Sequence, residues 1–499
     1  MTLYKLKRNI IAGLFLTVLA GSSCTKLHDF GDLNQDPTQA TSPVTAALLT
    51  NVLSNMANFT WDAGSITTIS GLYAQYFSET QYTDISTYSK QSLGWDDYFA
   101  SLNTNVATQV GYLNNLQTII SYNSGASTAA AATAYGSNAN QIATARILKV
   151  YIYSTLTDIY GDVPYFNALK HDNGAIVYDK QQLIYADFFK ELTAAVAQFD
   201  GGATVSGDIL FSGNISKWKK FANSIHALLA LHLSKVDAAT GKKEFAAALA
   251  GGVLEEGEDV SLVFPGGNFL SPVYKFYDVT KRFDYAVSKT MTDILAATSD
   301  PRGGNNIYGT SSIGFPSGLS RNDAVAFANT HVGFAQLTKG QSSTGTDPFP
   351  VLTAGEIYLA RAEAAQLGWT SENAAAMYSL GIKSSWEYWQ VYDDTKFATF
   401  MASSSIDLSS GNAIQKIATQ EWVSSYPAGL RGWTIFRRTG YPALTPAPAA
   451  INGGIIPRRI GYGPNETSYN KANTDAVATQ YTVNGDKDSQ LARMWWDVQ

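Results

Sequence analysis

Five histidines, one cysteine and 41 carboxylates are the side chains with which this chain of 499 residues could do acid–base, nucleophilic or metal chemistry. His28, His171, His226, His232 and His331 are scattered. Only His226 and His232 share a predicted helix, and their separation turns them about 120° away from the i,i+4 relation that a helical metal site needs. None of the patterns HExxH, GxSxG, GxxxxGK[ST] or GxGxxG occurs, which removes the commonest zinc, serine-hydrolase and nucleotide signatures. Ser216 and Lys219 satisfy SxxK, but neither SDN nor KTG follows, so Ser216 ahead of KWKKFA reads as a helix N-cap. Carboxylate pairs that cleave glycosidic bonds can come from anywhere in a chain, and a glycoside hydrolase stays open on these grounds. The obvious acids nevertheless look structural. Asp158 and Asp162 in TDIYGDVPY, and Asp300 in SDPRGG, stand at Gly and Pro breaks where Asp bonds freed backbone N–H groups. A single cysteine excludes a disulfide framework and multi-cysteine metal sites. No DxDxDG-type loop supports calcium, and no cofactor is expected.

Binding chemistry has a stronger basis. Aromatic residues make up 12% of the chain and charged residues only 15%, against roughly 25% charged in an ordinary soluble domain. Trp61, Tyr82, Tyr88, Phe269, Tyr274, Phe276 and Tyr277 lie in or beside polar loop sequence, with Asn268 among them. A flat ring can cover the apolar face of a sugar while neighbouring amide, carboxylate and guanidinium groups pair with its hydroxyls. Every hydroxyl taken from water must regain a partner, so micromolar to millimolar affinities are the expected order. A net charge of −6 argues against a nucleic-acid partner.

The elements that must position these residues follow from the remaining pattern. Lys5, Lys7 and Arg8 precede an apolar stretch from Ile10 to Ala20 and the small residues Gly21, Ser22 and Ser23, an export signal too short to span a bilayer. Cys24 follows at once, as in a bacterial lipoprotein signal, although Leu is commoner at the place held by Gly21. Residues 1–23 are therefore expected to be removed, Cys24 to be acylated, and residues 24–43 to form an extended polar tether. Residues 44–499 are read as one domain. Helical patterns occupy 138–160, 185–199, 216–234, 288–297, 354–367 and 372–389, with another near 414–424. Gly-, Ser- and Asn-rich stretches at 201–213, 264–276, 301–321 and 338–347 separate them, and loops of this length tend to be functional. The fold class is thus all-α, mainly helical. Paired helices of these lengths suit a TPR-like solenoid, but no 34-residue repeat is legible.

Several segments carry a family likeness in their order. They are Asn34-Gln35-Asp36-Pro37; Trp95, Tyr98 and Leu102; Thr157 to Tyr165 (TDIYGDVPY); Tyr178-Asp179-Lys180-Gln181; and the helix Lys217 to Lys235. Arg282, Asp284 and Ser288 follow, then Asp300 to Arg302, Ala362 to Ala364, Arg437 to Leu444, Ile456 to Tyr462 and Trp495 to Asp497. Together they resemble the SusD/RagB family of Bacteroidetes surface lipoproteins, in its SusD-like branch. The resemblance implies a TPR-like helical-repeat scaffold of four helix pairs with long loop insertions, lipid-anchored in the outer membrane and facing outwards. It implies a SusC-like TonB-dependent transporter as partner, capped by this chain as a lid. The cargo would be an oligosaccharide, or in RagB-like members a peptide, captured for import without chemistry. The shared segments read as scaffold, placing Trp95, Trp386, Trp433 and Trp495 in the core or at interfaces.

Overall fold

The computed structural model describes residues 42–56, 66–92, 95–99, 111–170, 174–304, 307, 311–337 and 344–498. The principal helices are α1 (Thr45–Ser54), α2 (Ile66–Tyr73), α3 (Tyr112–Ser124), α4 (Asn138–Tyr160), α5 (Gln181–Gln198), α6 (Ile215–His232) and α7 (Ala238–Ala250). After these come α8 (Lys289–Ala297), α9 (Ala354–Gln366), α10 (Ala374–Tyr388), α11 (Ala413–Ser424) and α12 (Gly429–Thr439). Neighbours in sequence pack as neighbours in space from α3 to α7. A second run joins α9 to α10 and α11, then α11 to α12; contacts of α9 with α6, and of α12 with α2 and α4, unite the two. Strand content is small. β1 (Phe77–Glu79) pairs antiparallel with β3 (Tyr285–Val287), and β2 (Val260–Leu262) with β4 (Phe349–Leu352).

The mainly helical class expected from periodicity is what the chain adopts. Helix α4 shows the reason most plainly: Ile147, Leu148, Val150, Ile152, Leu156 and Ile159 are all buried and point around its circumference, so it must lie among other helices rather than on the surface. It ends at Gly161, whose φ is +88° and whose missing Cβ would lie 2.3 Å from the Tyr481 hydroxyl. A side chain there would force Tyr481 away and strain the turn. Close approach also governs the contact of α12 with α2, where a Cβ on Gly429 would lie 2.4 Å from the Gly71 backbone.

Two details differ from the sequence reading. The N-cap of α6 is Asn214, whose side chain accepts from the Lys217 N–H at 3.1 Å; Ser216 already lies within the helix. Asp158 is buried and bonds side chains rather than backbone, accepting from Tyr185 Oη at 2.5 Å and Trp496 Nε1 at 2.9 Å. Asp162 does cap, accepting from the Gln181 N–H at the start of α5 at 2.9 Å. Trp496 thereby ties the C-terminal segment to α4, and Arg437 lies 3.6 Å from the Trp433 ring centroid and 4.8 Å from that of Trp496. Trp95, Trp386 and Trp433 are buried and Trp495 is partly so.

Candidate functional site

Hydrogen bonding between β1 and β3 continues beyond the last ladder pair. The Thr80 N–H donates to the Asp284 carbonyl at 2.8 Å and Thr80 Oγ1 to the Phe283 carbonyl at 2.7 Å. Gln81 Nε2 donates to Asp284 Oδ1 at 2.5 Å across 203 residues of sequence. Two short surface segments, 80–82 and 281–284, are therefore held side by side on an ordered ladder. Tyr82 stands 50% exposed, with the Arg321 guanidinium carbon 5.1 Å from its ring centroid, within range of a cation–π attraction. Phe283 is 43% exposed, its ring 6.0 Å from buried Tyr277. Arg282 is gripped by Asp284 through Nε at 2.6 Å and also through Nη2. Those bonds and the Asp284 charge raise the Arg282 pKa, with Tyr82 and Tyr285 adding to the effect. Arg321 opens the helix Arg321–Thr330, capped by Ser320, whose Oγ accepts from the Asp323 N–H at 3.3 Å. Two open rings thus sit among guanidinium, carboxamide and carboxylate groups, the mixture that recognises a hydroxyl-rich ligand with apolar faces.

The sequence-predicted residues divide in the structure. Phe269 is 63% exposed and Asn268 exposed on a turn closed by reciprocal Gly266 and Phe269 backbone bonds of 3.2 and 3.0 Å. Tyr274 is half-buried against Gly345. The expectation that Tyr88, Phe276 and Tyr277 face solvent is corrected, because all three are buried. Tyr88 accepts the Ala447 N–H at its hydroxyl at 3.0 Å and packs on Tyr73. Tyr277 donates to the Tyr285 carbonyl at 2.8 Å and accepts from the Leu337 N–H at 3.3 Å. Burying a ring gains more than leaving it in water, and these rings fasten loops to the core. Trp61 and Cys24 lie outside the described residues. Sequence reasoning missed Gln81, Phe283 and Arg321; Phe283 sits inside the Arg282-x-Asp284 element, which had been assigned to scaffold.

Glu79 lies beneath this surface, accepting from the Ser86 N–H at 2.8 Å and Oγ at 2.6 Å. Burial nonetheless pushes its pKa up to about 7. Below the unfolded pKa both states carry the proton and nothing is lost. As pH rises from there to about 7 the unfolded chain releases a proton that the native state retains, so stability falls. Glu79→Gln is accordingly expected to gain about 1–3 kcal/mol relative to the natural chain on going from pH 4 to pH 8. Urea melts at the two pH values check this; an equal difference at both would contradict it.

Buried titratable groups elsewhere surround a cavity of about 110 Å³ lined by Asp158, His232, Glu356, Glu421, Arg431 and Arg438, among others. This is below the roughly 300–1,000 Å³ of small-molecule sites. Its acids have partners: Glu356 with Arg431 at 2.6 Å, and Glu421 with Arg438 at 3.2 Å. Burial raises Asp158 to about 7 and depresses His232, which meets Tyr185 Oη at 2.6 Å. His226 meets Glu244 at 3.0 Å instead of turning toward His232.

Residues 37–463 match the family model SusD-like_2, described as starch-binding and associating with the outer membrane. A chitin-binding protein of known structure is 27% identical, over 91% of this chain and 100% of that one, with a TM-score of 0.75. A chitin-binding SusD homolog from Flavobacterium johnsoniae is 23% identical over 91% and 98%, with a TM-score of 0.71. A SusD homolog from Bacteroides fragilis is 21% identical over 91% and 99%, with a TM-score of 0.74. No curated protein matches the chain.

Proposed function

We propose, from the premise that the chain belongs to the SusD-like family of starch-binding proteins associating with the outer membrane, that it holds an oligosaccharide on the Tyr82 surface for import. The observation that carries this reading is the exposed Tyr82 ring under Arg321, flanked by Gln81 and the Arg282–Asp284 pair. A sugar ring stacked on Tyr82 would keep its hydroxyls within reach of donors and acceptors that the β1–β3 ladder already holds in place, which limits the ordering cost of binding. Phe269, Asn268 and Tyr274 are assigned to the same ligand, and Trp61 with them. The chitin-binding relatives favour N-acetylated sugars for the first trials, and the family description favours starch fragments.

The chain binds and does not transform its cargo. Asp284 is committed to Arg282 through bonds to Nε and Nη2. Among the described residues no helix is long and apolar enough to cross a membrane; attachment is assigned to acyl chains on Cys24, with residues 24–43 as tether. Delivery to a SusC-like TonB-dependent transporter, with this chain as its lid, completes the reading. Isothermal titration of chito- and malto-oligosaccharides, with chromatography of the ligand afterwards, tests it. The expected result is saturable binding at micromolar to millimolar Kd with the sugar recovered intact. Silence toward both series, or shortened products, would overturn it.

A further inference from the structure

A second cleft, of about 350 Å³, shares no lining residue with the Tyr82 surface. It lies between the C-terminal part of α8, Tyr378 of α10, the turn 404–412 and α11. Its volume falls within the range of small-molecule sites. The floor is apolar, with Leu295, Ile406, Val423 and the Tyr378 side chain; Ser404, Ser405 and Gln415 supply hydroxyls and an amide, while Ser410, Asn412 and Gln420 hold partners within the fold. Tyr378 is 1% exposed, yet its hydroxyl has no hydrogen-bond partner. Burial holds that phenol un-ionised by raising its pKa. Buried hydroxyls nearly always find a partner, so one that lacks it invites explanation by a missing acceptor.

The turn is preorganised. Lys416 Nζ donates to the Ser404 carbonyl at 2.7 Å, the Asp407 carbonyl at 2.5 Å and Ser410 Oγ at 3.0 Å, which uses all three of its donors. Ser409 holds the Asp407 carboxyl below its usual range, with a smaller contribution from Lys416. What remains for a ligand is neutral: hydroxyls and an amide around an apolar floor. Free carboxylates or phosphates would find no unspent ammonium, and a wholly apolar guest would strand the polar rim.

We propose that this cleft binds a short neutral saccharide, one or two sugar rings, with the Tyr378 hydroxyl donating to a sugar oxygen. The site is independent of the Tyr82 surface, and the test is arranged to separate them. Maltose and chitobiose, with glucuronic acid as charged comparator, are titrated into the full chain carrying Tyr82→Ala, with and without Tyr378→Phe or Ser404→Trp. Because the Tyr378 hydroxyl has no partner in the protein, Tyr378→Phe should fold with an unchanged or higher melting temperature. It should weaken disaccharide binding about three- to tenfold, the worth of one hydrogen bond, and Ser404→Trp should block the cleft. Residual binding in Tyr82→Ala that both substitutions reduce supports the site. Loss of all disaccharide binding in Tyr82→Ala alone overturns it while leaving the Tyr82 reading intact. Binding indifferent to both cleft substitutions, or confined to glucuronic acid, also overturns it.

Discussion

Tyr82→Ala is expected to weaken oligosaccharide binding by about 1–3 kcal/mol, roughly 5- to 150-fold in Kd, with little change in melting temperature. Half of this side chain is in water already, and its recorded ring partner is the exposed Arg321. The fold therefore loses little; surface substitutions usually change stability by within about 0.5 kcal/mol. A ligand stacked on the ring loses its largest apolar contact. Tyr82→Phe should retain most of the affinity if stacking dominates, and Arg321→Ala should cost about 1 kcal/mol by removing the cation above the ring. Calorimetric titration of the three variants checks the order; an affinity unchanged in Tyr82→Ala would remove this surface from the account.

Arg302→Ala carries the largest expected loss of stability, about 3–5 kcal/mol. The Arg302 and Asp300 side chains are both fully buried and 2.5 Å apart. The same guanidinium donates to Ser385 Oγ at 2.9 Å on α10, and on α11 to Gln420 Oε1 at 2.5 Å and Ser424 Oγ at 3.3 Å. One side chain thus joins the segment after α8 to two helices. Its removal leaves a carboxylate buried without its cation and three polar groups without a donor, and the cost lies in those stranded groups more than in the pair itself. Adding Asp300→Asn to Arg302→Ala should recover part of the loss, because the two effects are coupled. Urea unfolding of the single and double variants measures both quantities; additive losses would contradict the network.

What could be read from sequence, and what could not, divides by range. Helices α4, α6, α9 and α11 announce themselves through their period, and the structure places them within a few residues of the expected bounds, although the cap of α6 is Asn214 and not Ser216. Helix α7 gives no such signal, because AATGKKEFAAALA carries few large apolar residues; only Gly241, Phe245 and Ala248 of it are buried. The aromatic surplus points to loops, yet local composition cannot tell a ring that faces water from one that pins a loop. Tyr82 and Tyr88 are six residues apart in similar polar sequence, and partners distant from Tyr88, the Ala447 N–H 359 residues away and the Tyr73 ring among them, separate their fates. The same limit hid Arg321, brought over Tyr82 from a distant helix. Phe283 is closer to legible: it sits between Arg282 and Asp284, in an element whose spacing reads as scaffold. That element does serve the scaffold too, since Ser288 Oγ caps α8 by accepting from the Met291 N–H at 3.0 Å.

Hydrogen–deuterium exchange, with and without the oligosaccharide that calorimetry finds to bind best, addresses the central claim most directly. The account predicts slower exchange on ligand addition in the segments around residues 80–84, 281–285 and 320–323, and an unaltered sugar at the end. Protection confined to other parts of the chain, or a ligand consumed during the measurement, would contradict it.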